Sequence, residues 1–435
     1  MSAIRFWMGR SAPVVNLRWV VAGALLAASW LSAVHAAEVR LNVSAGTQAR
    51  KQTPVAIALS AEQAAAGGIE GPGDAMLLGD DGMAVACQIT QGDLSTKEAT
   101  IAPLTVRFVL PELAAGAKSF LLGKPKAQKA AFSGARPKEQ GKACFNGFDA
   151  GRQRRAAVHV RPRWTRRMRI RGQQRLGPYH HVFDLQGKQL LTKGPGGKFP
   201  HHRGLFFGFN RISYEGGKKQ ADTWHCNKGE FQSHESVLAS SVGSLVGGQV
   251  LAIDWHGQSK DVFAKEKRQL QVTRHPRGTV IDFTSHLKSE VGKVKLDGDP
   301  QHAGFQFRAT QDVPDKTADK TYYVRPDGKG EPGKFRNWPD VKTHVNLPWN
   351  ALSFALGEQR YTVAMLDRPE NPKESRFSER DYGRFGSYFE YEMDTDKPLV
   401  LNYRVVIMEG EMGVDEINAL HADFVAPPAV TVSVK

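Results

Sequence analysis

The sequence predicts an all-β protein: a large antiparallel β-sandwich preceded by a small β-sandwich domain. Three observations carry that expectation. Short β-branched and aromatic runs recur between Gly, Pro and Asp along most of the chain. They do not alternate with helical patterns, which argues against a parallel α/β sheet. No Walker A loop occurs, and with strands that do not alternate with helices a dinucleotide or nucleotide enzyme is not expected.

Residues 1–36 have the build of a secretory signal peptide. Arg5, Arg10 and Arg18 precede an uncharged stretch from Trp19 to Ala37, and Val34-His35-Ala36 places small residues at −3 and −1 of a cleavage site. The apolar span approaches the roughly 20 residues of a membrane helix, so an uncleaved anchor is the alternative. No second long apolar run follows. The expectation is a periplasmic or extracellular protein with no membrane span once the signal is removed.

Residues 37–123 read as a small β-sandwich. Val39–Val43 and Leu104–Leu110 alternate, and Val55–Leu59 is an apolar run. The segment contains no histidine, so support or attachment is its expected role. Residues 124–155 mix Lys, Arg, Gly, Ala and Pro without periodicity, as a basic linker does. The formal net charge is +15, with much of the excess in Lys124–Arg175. No recognition-helix or zinc-finger pattern accompanies it, so no nucleic-acid partner is expected. The chain has three cysteines, Cys87, Cys144 and Cys226; an exported compartment permits one bridge, and Cys87 with Cys144 is the pair to test first.

Residues 156–435 form the large domain. Strand signals recur at Tyr179–Leu185, Leu205–Ile212, Val250–Trp255, Leu270–Thr273, Val280–Leu287, Gly304–Ala309, Ala351–Leu356, Tyr361–Leu366, Tyr388–Met393 and Leu399–Met408. The one convincing helix is Val414–Phe424, where Ile417, Leu420 and Phe424 share a face and Asp415 is placed to cap the start.

Chemistry concentrates between the first of these strands. His201-His202-Arg203-Gly204 is followed by Asp222-Thr223-Trp224-His225. Neighbouring side chains of an extended segment point to opposite faces, so only one of His201 and His202 enters a given pocket unless the chain turns there; His202 is the choice. His202 and His225 are candidate acid and base, Asp222 orients an imidazole, and Glu235 is a further carboxylate. Arg203 is placed to bind oxygen atoms and Trp224 to stack on a sugar face. Downstream, Gln301–Arg308 adds His302, Gln306 and Arg308; with Phe305 and Phe307 in the core, Gln306 and Arg308 face a cleft or solvent. Arg308 reads equally as a ligand clamp or a surface ion pair. Ser378–Gly386 is dense in charge and brings Arg384; it lines the same pocket or forms a structural ion-pair network. Cys226 is a packed thiol or a nucleophile. There is no HExxH and no paired CxxC, so the sequence specifies no cofactor and leaves a metal open.

These same runs, with Gly304–Arg308 and Asp367-Arg368-Pro369-Glu370-Asn371-Pro372, resemble the bacterial PmoA-family domain of unknown function over roughly Pro178–Phe424. The label carried by that family is methane oxygenase, but such a subunit spans the membrane several times, and a chain with one hydrophobic segment is not a methane monooxygenase. The resemblance implies a β-sandwich similar in build to the galactose-mutarotase-like supersandwich of carbohydrate enzymes, in bacteria that process polysaccharides. It transfers no proven catalytic set.

The resulting expectation is an exported carbohydrate-active protein. His-based acid/base chemistry on a glycoside or oxidised sugar, whether hydrolysis, β-elimination or epimerisation, is the leading reading, with a carbohydrate or other small molecule as the partner. The alternative is a non-catalytic glycan-binding or envelope scaffold protein. Hydrolysis by a pair of carboxylates is less attractive, because imidazoles outnumber carboxylates in the cluster.

Overall fold

The computed structural model describes residues 37–94, 100–123, 126–127, 160–163 and 177–435. The signal segment, the basic linker and Cys144 lie outside the described residues.

The protein is all-β, as the spacing of its apolar runs predicts. Three antiparallel sheets build the large sandwich. One layer is a nine-stranded sheet in the order Phe231–Ser241, Val246–His256, Val262–His275, Gly278–Ser289, Leu399–Glu409, Gln359–Asp367, Trp349–Leu356, Tyr322–Arg325 and Gly328–Lys329. Facing it are a six-stranded sheet (Val160–Arg163, Tyr179–Val182, Leu205–Phe209, Ala303–Arg308, Arg384–Tyr388, Arg376–Arg380) and a four-stranded one (Lys219–Ala221, Arg211–Tyr214, Val294–Asp297, Tyr391–Met393). Period-2 alternation sends Leu205, Phe207 and Phe209 inward from one strand and Ala303, Phe305 and Phe307 from its neighbour. Their rings meet Trp255, Phe283, Phe354 and Tyr403 of the nine-stranded sheet; Phe283 and Phe305 stack at 4.3 Å.

Strands buried on both faces need a cover on the outer side as well. On the nine-stranded sheet the Val414–Val425 helix supplies it, laying Ile417, Leu420 and Phe424 on Val280, Trp349, Leu366 and Val406. Asp415 is not its cap: Gly413 holds the N-cap position without a side-chain bond, and Asp415 sits inside the first turn, where a carboxylate still favours the helix dipole. Two short helices, Ala61–Ala66 and Asp312–Lys316, lie outside the expectation. The first rests on a capping box between Ser60 and Gln63. Among the described residues no helix is long and apolar enough to cross a membrane.

An eight-stranded antiparallel sheet carries its own apolar cluster around Leu41, Val43, Leu77, Val106, Phe108 and Phe120. It holds the strands expected at Val39–Val43, Val55–Leu59 and Leu104–Leu110, three not expected at Gly73–Gly79, Ala84–Thr90 and Gly116–Leu122, and Lys126–Ala127 and Ala429–Val434 from farther along the chain. The last strand pairs with Val39–Gly46, so both ends of the described chain close this sheet. Cys87 lies in that cluster and forms no disulfide among the described residues, and burial pushes its thiol up to about 12. Ala37–Lys435 is one compact unit, and polar side chains join its sheets. Gln88, 1% exposed, donates to the Val246 carbonyl at 3.0 Å and accepts from the Val246 and Leu245 amides at 2.9 and 3.3 Å. Arg50 and Thr53 reach Asp423 on the C-terminal helix at 2.7 and 2.6 Å. Gln88→Ala leaves buried backbone groups unpaired and is expected to lower unfolding free energy by about 2–3 kcal/mol, measured by urea denaturation.

Candidate functional site

The outer face of the six-stranded sheet carries Phe206, Gln306, Arg308 and Arg384, opposite to the inward set. Two loops cover it. The first runs from Lys193 to Gly204 and winds around the Lys193 ammonium, which donates to the carbonyls of Gly194 (3.1 Å), Phe199 (3.3 Å), His202 (3.5 Å) and Gly196. Phe199 takes a positive φ of 57°, and the His202 amide donates back to the Phe199 carbonyl at 3.0 Å. The chain therefore turns at the double histidine. His201 and His202 both enter the cluster, with ring centroids 4.3 Å apart, and the strand rule that favours His202 alone does not apply.

The second loop is built by Asp222. Its Oδ1 accepts from the Trp224 and His225 amides at 2.9 and 2.8 Å, and its Oδ2 accepts from His225 Nδ1 at 2.8 Å. This is the orienting role expected of Asp222. A third turn repeats the device: Asp299 Oδ1 accepts from the Gln301 amide and from His302 Nδ1, both at 2.9 Å, while Asn210 Nδ2 donates to Oδ2 at 2.6 Å. An ionised carboxylate only accepts, so Nδ1 of both rings carries the proton. Nε2 is left to face other partners.

Four imidazoles meet here. His201 lies 4.5 Å from His225 and 5.3 Å from His302; His225 and His302 are 4.7 Å apart, and His202 stacks with His302 at 5.9 Å. His201, His225 and His302 are partly exposed, whereas His202 is 2% exposed and lies beneath them beside Tyr382. Burial, then the neighbouring His225, His302, Arg203 and Lys193, lowers His201 to about 3. Burial and Arg384 push His202 further down still. Both rings are neutral at ordinary pH. Burial opposes ionisation of Asp299, but the bonds from His302, Asn210 and the Gln301 amide hold it well below the usual carboxylate range.

The residues expected to bind substrate are brought to this place, but as its floor. Arg203 is 1% exposed, donates to the carbonyls of His201 (2.6 Å) and Trp224 (3.2 Å), and stacks on Phe206 at 3.5 Å; it ties the two loops together. Trp224, also 1% exposed, packs edge-on against Phe206 and presents no face to a sugar. Gln306 and Arg308 are likewise covered, because the loops close over their side of the sheet. Arg308 donates to the Ala309 and Tyr382 carbonyls and Arg384 to Gln306 and Ser378. Burial lowers Arg203 and Arg308 to about 10. Glu235 stands apart from the imidazoles, grouped with Asp254 and His256 on the Phe231–His256 hairpin. Cys226 is a packed thiol, 3% exposed, raised to about 12 by burial, which removes the nucleophile reading.

His201, Asp299, Lys193 and Tyr382 complete the site beyond the residues chosen from sequence. Lys193 leaves no sequence signal, whereas Tyr382 lies in the Ser378–Gly386 run read as pocket lining or ion pairs. Asp299 leaves one: Asp299-Pro300-Gln301-His302 has the same Asp-x-x-His spacing as Asp222-Thr223-Trp224-His225. One donor atom from each of His201, His202 and His302 lies within 4.8 Å of the others, so within the cluster these three are placed to share a metal ion; among the described residues Glu235, Asp254 and His256 form a second such group. A model of a family of unknown function, DUF6807, matches residues 157–422, which includes every residue of the cluster. No curated protein matches the chain at a significant level.

Proposed function

This chain belongs to the DUF6807 family of unknown function, and we propose that it is an exported protein acting on a glycoside or oxidised sugar by proton transfer at the imidazole cluster. The observation that carries the reading is the 2.8 Å bond between Asp222 and His225 at the partly exposed face of that cluster. A carboxylate holding Nδ1 fixes the ring and its tautomer and leaves Nε2 to take or give a proton. His302 with Asp299 is a second pair of the same build 4.7 Å away, so one imidazole has a partner for the reverse transfer. Buried His202 supports the others from below, and the base role assigned to it from sequence passes to His225. The reaction class stays within hydrolysis, β-elimination or epimerisation.

Export rests on the arginine-flanked apolar segment of residues 1–36. A finer kinship with PmoA-type proteins, and through them a galactose-mutarotase-like build, is supported by the His-His-Arg-Gly and Asp-Thr-Trp-His runs. The second reading is a non-catalytic glycan-binding or envelope scaffold, and one observation favours its scaffold form: Arg203, Trp224, Arg308 and Arg384 are each only 1% exposed and are spent on holding the fold.

A screen of oligosaccharides, including 3-keto-glycosides, separates the two. Turnover by the wild type is expected, with a loss of about 10²–10⁴-fold in His225→Ala. Equal turnover by both proteins removes His225 from the mechanism. Saturable binding without turnover establishes the scaffold reading instead.

A further inference from the structure

Four imidazoles, with ring centroids less than 6 Å apart in five of their six pairs, need a reason to be there. Charged, they repel; neutral, each must pair a lone-pair nitrogen. Both ring nitrogens of His202 and Nε2 of His201 are buried without a protein hydrogen-bond partner. Buried polar atoms are normally bonded, and an orphaned group costs desolvation free energy with no return. The ring of His302 is held at Nδ1 by Asp299, the arrangement in which a carboxylate behind an imidazole directs the other nitrogen at a metal.

We propose that His201, His202 and His302 form a three-imidazole site for a divalent transition-metal ion, zinc foremost, with the Asp222–His225 pair beside it. One donor atom of each lies within 4.8 Å of the others. Zinc bonded to nitrogens at about 2.0–2.1 Å holds them roughly 3.4 Å apart, so small side-chain rotations close the set. Imidazole donors suit zinc, copper, iron and nickel rather than magnesium or calcium. Three protein ligands leave a coordination position open, as in catalytic zinc sites. An ion there polarises a bound oxygen or acidifies a bound water, within reach of His225. Asp299 is the positioning residue for His302.

The site is independent of the sugar reading, since binding is measured with the metal alone. The full-length chain is stripped with a chelator and titrated with Zn²⁺, then with Co²⁺ as an absorbing probe. One equivalent per chain is expected, with a visible Co²⁺ ligand-field band and a rise in melting temperature. His302→Ala and His201→Ala are expected to weaken Zn²⁺ binding by at least 100-fold, and Asp299→Asn by about 10–100-fold. His256→Ala, in the Glu235–Asp254–His256 group on the edge hairpin, should leave binding unchanged. Circular dichroism of each metal-free variant shows whether it is folded, and a variant that is not is replaced by the His→Asn form.

Absence of stoichiometric binding by the folded wild type overturns the site. So does binding that survives all three cluster substitutions, or that is lost in His256→Ala. A metal-free chain that still turns over its sugar at full rate removes the ion and leaves the proton-transfer reading standing. A chain that loads one ion through these histidines yet turns over no sugar does the reverse.

Discussion

Arg325→Met is expected to lower the unfolding free energy by about 3–5 kcal/mol near neutral pH, because it strands a charge in the interior. Glu379 is fully buried; its Oε1 accepts from Arg325 Nε at 2.8 Å and Asn350 Nδ2 at 3.0 Å, and its Oε2 from Arg325 Nη2 and the Arg336 amide. His344 lies 3.3 Å away. Burial pushes the Glu379 carboxyl up, but His344 and Arg325 outweigh it and hold the group below its ordinary value. In the wild type this contribution is present above the unfolded value of about 4.3 and is lost as pH falls through the lower folded one. Without Arg325 the buried carboxyl loses one of the two partners that hold it down, so its folded value rises and the defect should shrink as pH is lowered from 7 toward 4. Urea denaturation at pH 7 and pH 5 measures both arms, and Arg325→Met with Glu379→Gln should recover part of the loss. A defect of the same size at both pH values would place the cost in packing rather than charge.

That network shows what the sequence could and could not disclose. The charged run Ser378–Gly386 reads equally as pocket lining or structural ion pairs, and it proves to be split by strand alternation. Glu379 faces the network with Arg325, while Ser378 and Arg384 face the floor of the histidine cluster. The strands were legible because period-2 burial leaves a pattern within five or six residues. The sheet order was not, because pairing of Leu205–Phe209 with Ala303–Arg308 joins segments about a hundred residues apart. At the site, Asp222 with His225 was legible from local spacing. Strand alternation admits only one of His201 and His202 to a pocket, and that rule fails here because the chain turns at Phe199. Arg203, Trp224 and Arg308 read as binding residues because their types suit ligands; only the tertiary cover over that face decides that they are buried. Asp299 carries the one signal that was there to find, the repeat of Asp-x-x-His.

Gly204→Ala is expected to cost more than about 3 kcal/mol and to disperse the imidazole cluster together with the loop, combining backbone strain of about 1–3 kcal/mol with a steric clash. Gly204 has a φ of +36°, and a Cβ there would lie 2.1 Å from the His180 carbonyl oxygen and 3.1 Å from the Tyr179 ring. The first obstacle is backbone, which cannot rotate aside. Moving Gly204 in turn breaks two bonds that seat the loop, from its amide to the Lys193 carbonyl at 2.8 Å and from the Arg308 amide to its own carbonyl at 2.9 Å. His201 and His202 stand just before Arg203-Gly204, and their convergence depends on the turn that those bonds anchor. The damage should therefore be graded: the melting transition falls, and the histidine ring resonances of the folded fraction shift further than those of His256, which lies on the edge hairpin. Gly216→Ala is the matching control, since its φ is also positive, at +67°, but a Cβ there meets nothing within 4 Å; it should cost only the strain of about 1 kcal/mol. If the two variants are equally stable, the close approach of Gly204 to the Tyr179–Val182 strand is not what holds the double histidine in place.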